Sequence, residues 1–216
     1  MRALIANPEN TGEVFKIIQA MKGGSLGRAV ERLATSPEGR ELFRNKPDIL
    51  ALLNDRQALR AMPLGSLGRA YLQFVETQDL SADGLVAASE VVPRGQEINP
   101  DERWLANRLR DIHDLQHVVC GYGRDELGEL CLLAFMAAQT PNRGISFIIF
   151  MGRRQFRRQA PQISIDACVA EGRDTGETAE WFATVKWEEC LAQPLEQLRA
   201  KLGVRPPTFY RNGLLQ

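Results

Sequence analysis

The 216-residue sequence predicts an all-α protein. Apolar residues recur at helical spacing along most of its length, and helix-starting polar residues precede those runs. No stretch alternates apolar and polar long enough to make a strand. In chain order, Val14, Phe15, Ile18 and Met21 fall at i, i+1, i+4 and i+7, and Leu26, Val30 and Leu33 resume the pattern after Gly23-Gly24. Ser25, Ser36 before Pro37, Asp55, Ser66 and Asn99 before Pro100 are N-cap candidates, because their side-chain oxygens can accept from the free N–H groups of a first turn. The hexapeptide Gly-Ser-Leu-Gly-Arg-Ala occurs at 24–29 and again at 65–70. Its flanks differ, so it reads as a glycine turn with a serine cap used twice, not as a structural repeat. Val91 to Asn99 interrupts the pattern and divides one domain into an N-terminal helical half, 1–90, and a second half, 99–203. Pro206-Pro207 mark 204–216 as an extended tail.

Composition excludes several function classes. Lys plus Arg, 27, balance Asp plus Glu, 27, which removes the long-range field of a nucleic-acid binder. Apolar content of 44% with 25% charged residues is that of a globular protein, not a disordered or fibrous one. A chain of this size buries roughly 70% of its extended surface and folds without disulfides or a structural metal. The four cysteines, Cys120, Cys131, Cys168 and Cys190, have irregular spacing and no C-x-x-C, consistent with a reducing compartment. Met1 to Pro8 lacks the apolar centre of a signal peptide. The longest apolar run, Ile145 to Met151, is far short of the roughly 20 residues that span a bilayer. A soluble protein is expected.

Chemistry concentrates between 99 and 140. A helix is predicted from Asn99-Pro100, with Glu102 placed for a capping box, through Trp104, Leu105, Leu109, Ile112, Leu115 and Val119 to a stop at Gly121-Tyr122-Gly123. His113 and His117 lie off that apolar stripe, on the polar flank with Asp114 and Arg110, and no other histidine exists in the chain. Two histidines placed at random would fall four apart about 1 time in 100. At i and i+4 their imidazoles converge on one point, as a helix chelating a divalent metal requires. Asp114 can ligate or orient an imidazole from behind. A second helix beginning near Asp125 carries Glu129 one turn in, giving H-D-x-x-H-x11-E across a helical hairpin. Glu126 shares a similar face, and Cys120 follows His117 by three, although buried cysteine usually serves as a small apolar residue. Without a metal, the pair would be two hydrogen-bonded surface histidines.

Two histidines with one or two carboxylates suit zinc with an open position, or iron or manganese. Asp114 in place of the glutamate of H-E-x-x-H is a methylene short for a zinc-protease base. His-Asp phosphohydrolases draw on more histidines than this chain owns.

The signature His113, Asp114, His117, Glu129 resembles that of the ubiquinone (coenzyme Q) biosynthesis metal-binding proteins of mitochondria and proteobacteria. Pro63–Tyr71, Gly128-Glu129, Trp187-Glu188 and Pro194-Leu195-Glu196 extend the resemblance over roughly 60 to 203, with a weaker match before it. It implies an all-helical protein acting on polyprenylated benzoate or quinone intermediates, in oxidative decarboxylation that replaces the ring carboxylate by a hydroxyl. The other implied role is a non-catalytic, prenyl-lipid-binding organiser of the ubiquinone biosynthetic enzymes. The four signature residues are then the metal ligands and catalytic residues, nominally for zinc. Zinc has no redox chemistry, so a step using molecular oxygen would suit iron or manganese, unless the electron-rich ring itself reacts with oxygen.

Arg110 is placed to meet an anionic ring, or else forms a surface ion pair. Leu130 to Ala138 and Ile145 to Met151 are apolar enough to be buried, in the core or along a prenyl channel. Arg153, Arg154, Arg157 and Arg158 form a basic face suited to an anionic membrane surface, or simply to solvent. Such a protein would sit against the bacterial inner membrane from the cytoplasm, or on the matrix side in mitochondria, and a homodimer is a further expectation.

Overall fold

A computed structural model describes residues 24–77 and 99–215. The predicted helix around Val14 to Met21 and the loop at 91–98 lie outside these residues. The described residues form thirteen α-helices, one 3₁₀ turn at Phe182–Thr184 and no strand, as the periodicity predicted. In order, the helices are α1 Ser25–Thr35, α2 Pro37–Asn45, α3 Ile49–Asn54, α4 Arg56–Ala61, α5 Leu67–Thr77, α6 Pro100–Asp111 and α7 His113–Cys120. They continue as α8 Glu126–Gln139, α9 Arg143–Gln159, α10 Ile165–Thr178, α11 Trp187–Cys190, α12 Leu195–Leu202 and α13 Phe209–Gly213.

Most predicted caps act as caps. Ser36, Asp55, Ser66 and Asn99 accept from the N–H groups of Gly39, Ala58, Arg69 and Asp101. Ser25 does not; it is already the first helical residue, and Gly24 precedes it as the cap. The two copies of the hexapeptide therefore open their helices differently, Gly24 at φ −84° and Gly65 at φ +77°.

Three regions depart from expectation. The single helix predicted from 99 to 120 breaks at Ile112, whose ψ of 0° ends α6 while its side chain stays buried. Beyond the break, α7 is buried from Asp114 through Cys120, because α5 and α12 pack against it. The polar flank predicted for the histidines is thus interior. The tail is not extended throughout: after Pro206-Pro207 it turns into α13 and buries Tyr210. Ile145 to Met151 is only partly covered, with Ile145 buried and Phe150 61% exposed. In Leu130 to Ala138, by contrast, Leu130, Cys131, Leu132, Ala134 and Phe135 are buried and the other four residues half-buried.

One apolar cluster joins both halves of the chain. It includes Leu67, Tyr71 and Leu72 of α5, Leu115 and Val119 of α7, Cys131 and Phe135 of α8, and Trp187 of α11. The segments that carried the family resemblance outside the hairpin meet each other here: Leu67 N–H donates to Gln193 O at 2.9 Å, and Leu195 N–H to Gly65 O at 2.9 Å. Glu188 pairs with the buried Arg108 of α6 at 2.6 Å, and Arg108 also donates to Val185 O at 2.9 Å. Trp187 donates its indole N–H to Phe182 O at 3.0 Å.

The tightest helix pair is α8 against α10. Gly172 permits it, since a Cβ there would lie 2.5 Å from Cys131 O, a backbone atom that cannot yield alone. Gly172→Ala is expected to lower the unfolding free energy by about 2 kcal/mol in urea titrations, despite the better helix propensity of alanine, because overpacking a close contact costs about 1–3 kcal/mol. Equal or higher stability would mean that α8 and α10 separate freely.

Candidate metal centre

The hairpin of α7 and α8 brings three signature side chains together. Gly121 makes the turn: at φ +76° it takes the left-handed conformation that ends α7, and its N–H bonds His117 O at 2.8 Å. Asp125 then caps α8 through Gly128 N–H, setting Glu129 in the first turn. His117 Nε2 lies 3.4 Å from Glu129 Oε1, and His113 Nε2 lies 3.9 Å from Glu129 Oε2. One donor atom from each of the three residues lies within 4.8 Å of the others.

Both imidazoles are tied from behind. His117 Nδ1 faces Tyr122 O at 3.2 Å, and a carbonyl only accepts, so Nδ1 carries a proton and Nε2 is the nitrogen presented to the cluster. Asp114 Oδ1 does the same for His113 Nδ1 at 3.3 Å. Asp114 therefore stands on the far side of His113 from the cluster; it orients a ligand rather than supplying one. His117 is fully buried, and its Nε2 makes no hydrogen bond, Glu129 Oε1 being at ion-pair distance without hydrogen-bond geometry. A buried polar atom left without a partner costs about 1–3 kcal/mol.

That orphaned nitrogen, aimed with a second imidazole at one carboxylate, fits a divalent cation with three protein ligands and an open position. The His117–Glu129 spacing matches the roughly 3.5 Å expected between donors about 2.1 Å from one ion, and the His113–Glu129 spacing is wider. The donor set suits zinc, iron or manganese alike.

The other predicted residues lie elsewhere. Glu126 is exposed, and Cys120 is a buried core residue whose thiol burial pushes far above its ordinary range. Arg110, predicted to meet an anion, instead binds Asp111, its Nε donating to Oδ1 at 2.8 Å. Two side chains went unnoticed in the sequence. Phe74 of α5 stacks on His117 with centroids 5.5 Å apart, and Arg124 of the hairpin loop places Nε 3.4 Å from Glu129 Oε1.

The C-terminal segment frames the hairpin. Tyr210 O–H donates to Asp125 Oδ2 at 2.5 Å and accepts from Gly123 N–H at 2.8 Å. Arg199 of α12 binds Val118 O and Val119 O at the end of α7, at 2.7 and 2.9 Å.

The sequence profile of the family described as Coenzyme Q (ubiquinone) biosynthesis protein Coq4 matches residues 2–208. The chain belongs to this family. Among Coq4 relatives, the bovine "Ubiquinone biosynthesis protein COQ4 homolog, mitochondrial" is 29% identical over 203 residues, covering 91% of this chain and 74% of its own. The Yarrowia lipolytica "Ubiquinone biosynthesis protein COQ4, mitochondrial" is 27% identical over 222 residues, covering 97% and 82%. A crystal structure from Nostoc punctiforme, provisionally described as that of a ubiquinone biosynthesis protein, shares the fold, with a TM-score of 0.69 and 24% identity over 94% of this chain and 92% of its own.

Electrostatics follow from the cluster. Burial pushes the Glu129 carboxyl up, but the adjoining His117, His113 and Arg124 outweigh it and hold the carboxyl at about 2. Burial pushes His113 down, yet Asp114 and Glu129 overcome it and leave the imidazole above its ordinary value. In the metal-free protein the Glu129 contribution to stability is thus complete above its ordinary value of 4.5 and lost as pH falls toward about 2. The His113 contribution is complete below 6.5 and lost as pH rises through its elevated value. Melting temperatures of chelator-treated protein, measured from pH 5 down to about pH 2, are expected to fall less steeply for Glu129→Gln than for wild type. Parallel curves would remove Glu129 from the ion pair.

Proposed function

We propose that this Coq4-family chain is a metal-dependent enzyme of ubiquinone biosynthesis that oxidatively decarboxylates a polyprenylated hydroxybenzoate, replacing its ring carboxylate by a hydroxyl. The observation supporting this reading is the buried, unpartnered Nε2 of His117 facing His113 and Glu129. His113, His117 and Glu129 would hold the ion, and Asp114 and Tyr122 O would fix both imidazoles through Nδ1 and present their Nε2 atoms to it. Zinc, iron or manganese held there would act as a Lewis acid toward a carboxylate or ring oxygen, stabilising charge as the carboxylate departs. Phe74 and the surrounding core exclude water from the His117 side, leaving the Glu129 edge open. One ring carboxylate and one water yield a phenol and carbon dioxide. The two electrons released pass to dioxygen, the co-substrate, which leaves as hydrogen peroxide.

Purified protein with bound metal is expected to convert the carboxylated intermediate in single turnover, consuming one dioxygen per carbon dioxide released. His117→Ala, verified as folded by circular dichroism, is expected to lose metal and at least about 100-fold in rate. Intact substrate bound by metal-loaded wild type would instead indicate the scaffold role.

A prenylated substrate, together with relatives named mitochondrial, supports a reaction at a membrane surface, on the matrix side in mitochondria or the cytoplasmic side in bacteria. No helix among the described residues is long and apolar enough to cross a membrane. The surface of α9 supports peripheral contact, because Phe150 is exposed beside exposed Arg154 and Arg158. The basic face is smaller than the sequence suggested: Arg153 and Arg157 both bind Asp166, at 2.5 and 2.7 Å. Wild type is expected to float with anionic liposomes, and Phe150→Glu combined with Arg154→Glu and Arg158→Glu to stay behind. Equal flotation of both would exclude α9 as the contact.

A further inference from the structure

The open edge of the cluster carries a cation of its own. Glu129 Oε1 is shared at 3.4 Å by His117 Nε2 and by Arg124 Nε. Side-chain exposure rises from 0% at His117 to 18% at His113, 25% at Arg124 and 31% at Glu129, so the cluster meets solvent on the Glu129 and Arg124 side. Arg110, the arginine nearest in sequence to the histidines, is turned to Asp111.

Charge arithmetic shows what belongs at that edge. Two neutral imidazoles and one carboxylate around a divalent ion leave one net positive charge, and Arg124 adds a second. Arg124 also competes with the ion for Glu129 Oε1. A guanidinium beside an electropositive site with an open position is stable when an anion bridges the two, and a planar carboxylate matches its paired N–H groups.

We infer that Arg124 is the specificity-determining residue of this centre, releasing Glu129 when the ion binds and holding the carboxylate of an aromatic acid against it. The inference rests on the metal-centred reading above. It assigns carboxylate recognition to the hairpin loop, and it explains how substrate and product are told apart, since the phenolic product has lost the group that Arg124 grips.

Calorimetric titration of the purified full chain separates the two ideas. Zinc is titrated first, into wild type and Arg124→Gln, and 4-hydroxybenzoate is then titrated into each zinc-loaded protein, with phenol as the uncharged comparison. Arg124→Gln is expected to bind zinc as tightly as wild type or more so, because a competing cation is gone. Its 4-hydroxybenzoate affinity is expected to fall at least about tenfold, with phenol unaffected and Arg124→Lys intermediate. A residue that merely braced Glu129 would behave oppositely, its loss weakening zinc binding. Equal 4-hydroxybenzoate affinity in both proteins, or weaker zinc binding in Arg124→Gln, would overturn the role of Arg124. Absence of stoichiometric zinc uptake by wild type would overturn the metal reading itself, and this role with it.

Discussion

Everything at the centre depends on what stands behind the two imidazoles. A histidine can present either nitrogen, and the choice is made by the partner of the other one. Here a backbone carbonyl and a carboxylate accept from the two Nδ1 atoms, so both Nε2 atoms turn toward Glu129. Leaving the buried Nε2 of His117 without a hydrogen bond is unfavourable by itself, and an ordinary core would place a donor there or an apolar side chain instead. A cation offsets that penalty directly. The geometry is that of a site prepared by the fold rather than gathered by the ligand, since the Tyr122 carbonyl belongs to the same turn that ends α7.

The same constraint gives meaning to distant parts of the chain. The separation of α7 and α8 is set by five residues of loop, and that loop is held from outside. Tyr210 spans Gly123 and Asp125, while Glu171 receives the N–H groups of Thr208 and Phe209 and anchors the segment that carries Tyr210. Arg199 neutralises the carbonyl end of α7, where the helix dipole would otherwise meet only core. The buried Arg108–Glu188 pair does comparable work for α6. Breaking such a pair by removing one partner strands a charge and costs roughly 3–5 kcal/mol. Residues from Glu171 onward thus brace a hairpin to whose cluster they contribute no member.

How much of this could be read in the sequence follows from distance along the chain. The helical class and most caps are local properties and were legible. The cluster spans only 113–129 within one hairpin, so spacing alone brought His113, His117 and Glu129 to one place. What spacing could not show was rotation and company. The break at Ile112 moved the histidines from a supposed polar flank into the interior, because α5 and α12 cover α7. Phe74 and Tyr210 reach the hairpin across tens of residues, and no periodicity announces such contacts. The four-arginine face looked uniform until Asp166, on the following helix, claimed two of its members. Asp114 stayed open between two roles because neighbouring residues on a helix point in different directions, and only coordinates show which nitrogen a carboxylate faces.

The charges around the cluster also account for the ionisation of its members. Glu129 is held ionised by the groups around it, so the anionic ligand a cation needs is already present at any physiological pH. His113 is held toward its protonated form by Asp114 and Glu129. In the metal-free protein that proton stands in for the missing positive charge and keeps two nearby carboxylates from repelling each other. A divalent ion bound between His113 and Glu129 would have to displace that proton. Proton and metal would then compete for one lone pair, and metal affinity would rise with pH. A surface pair of histidines would feel little of this. The coupling arises because α7 is buried nearly all round while its ligands look outward through a single gap.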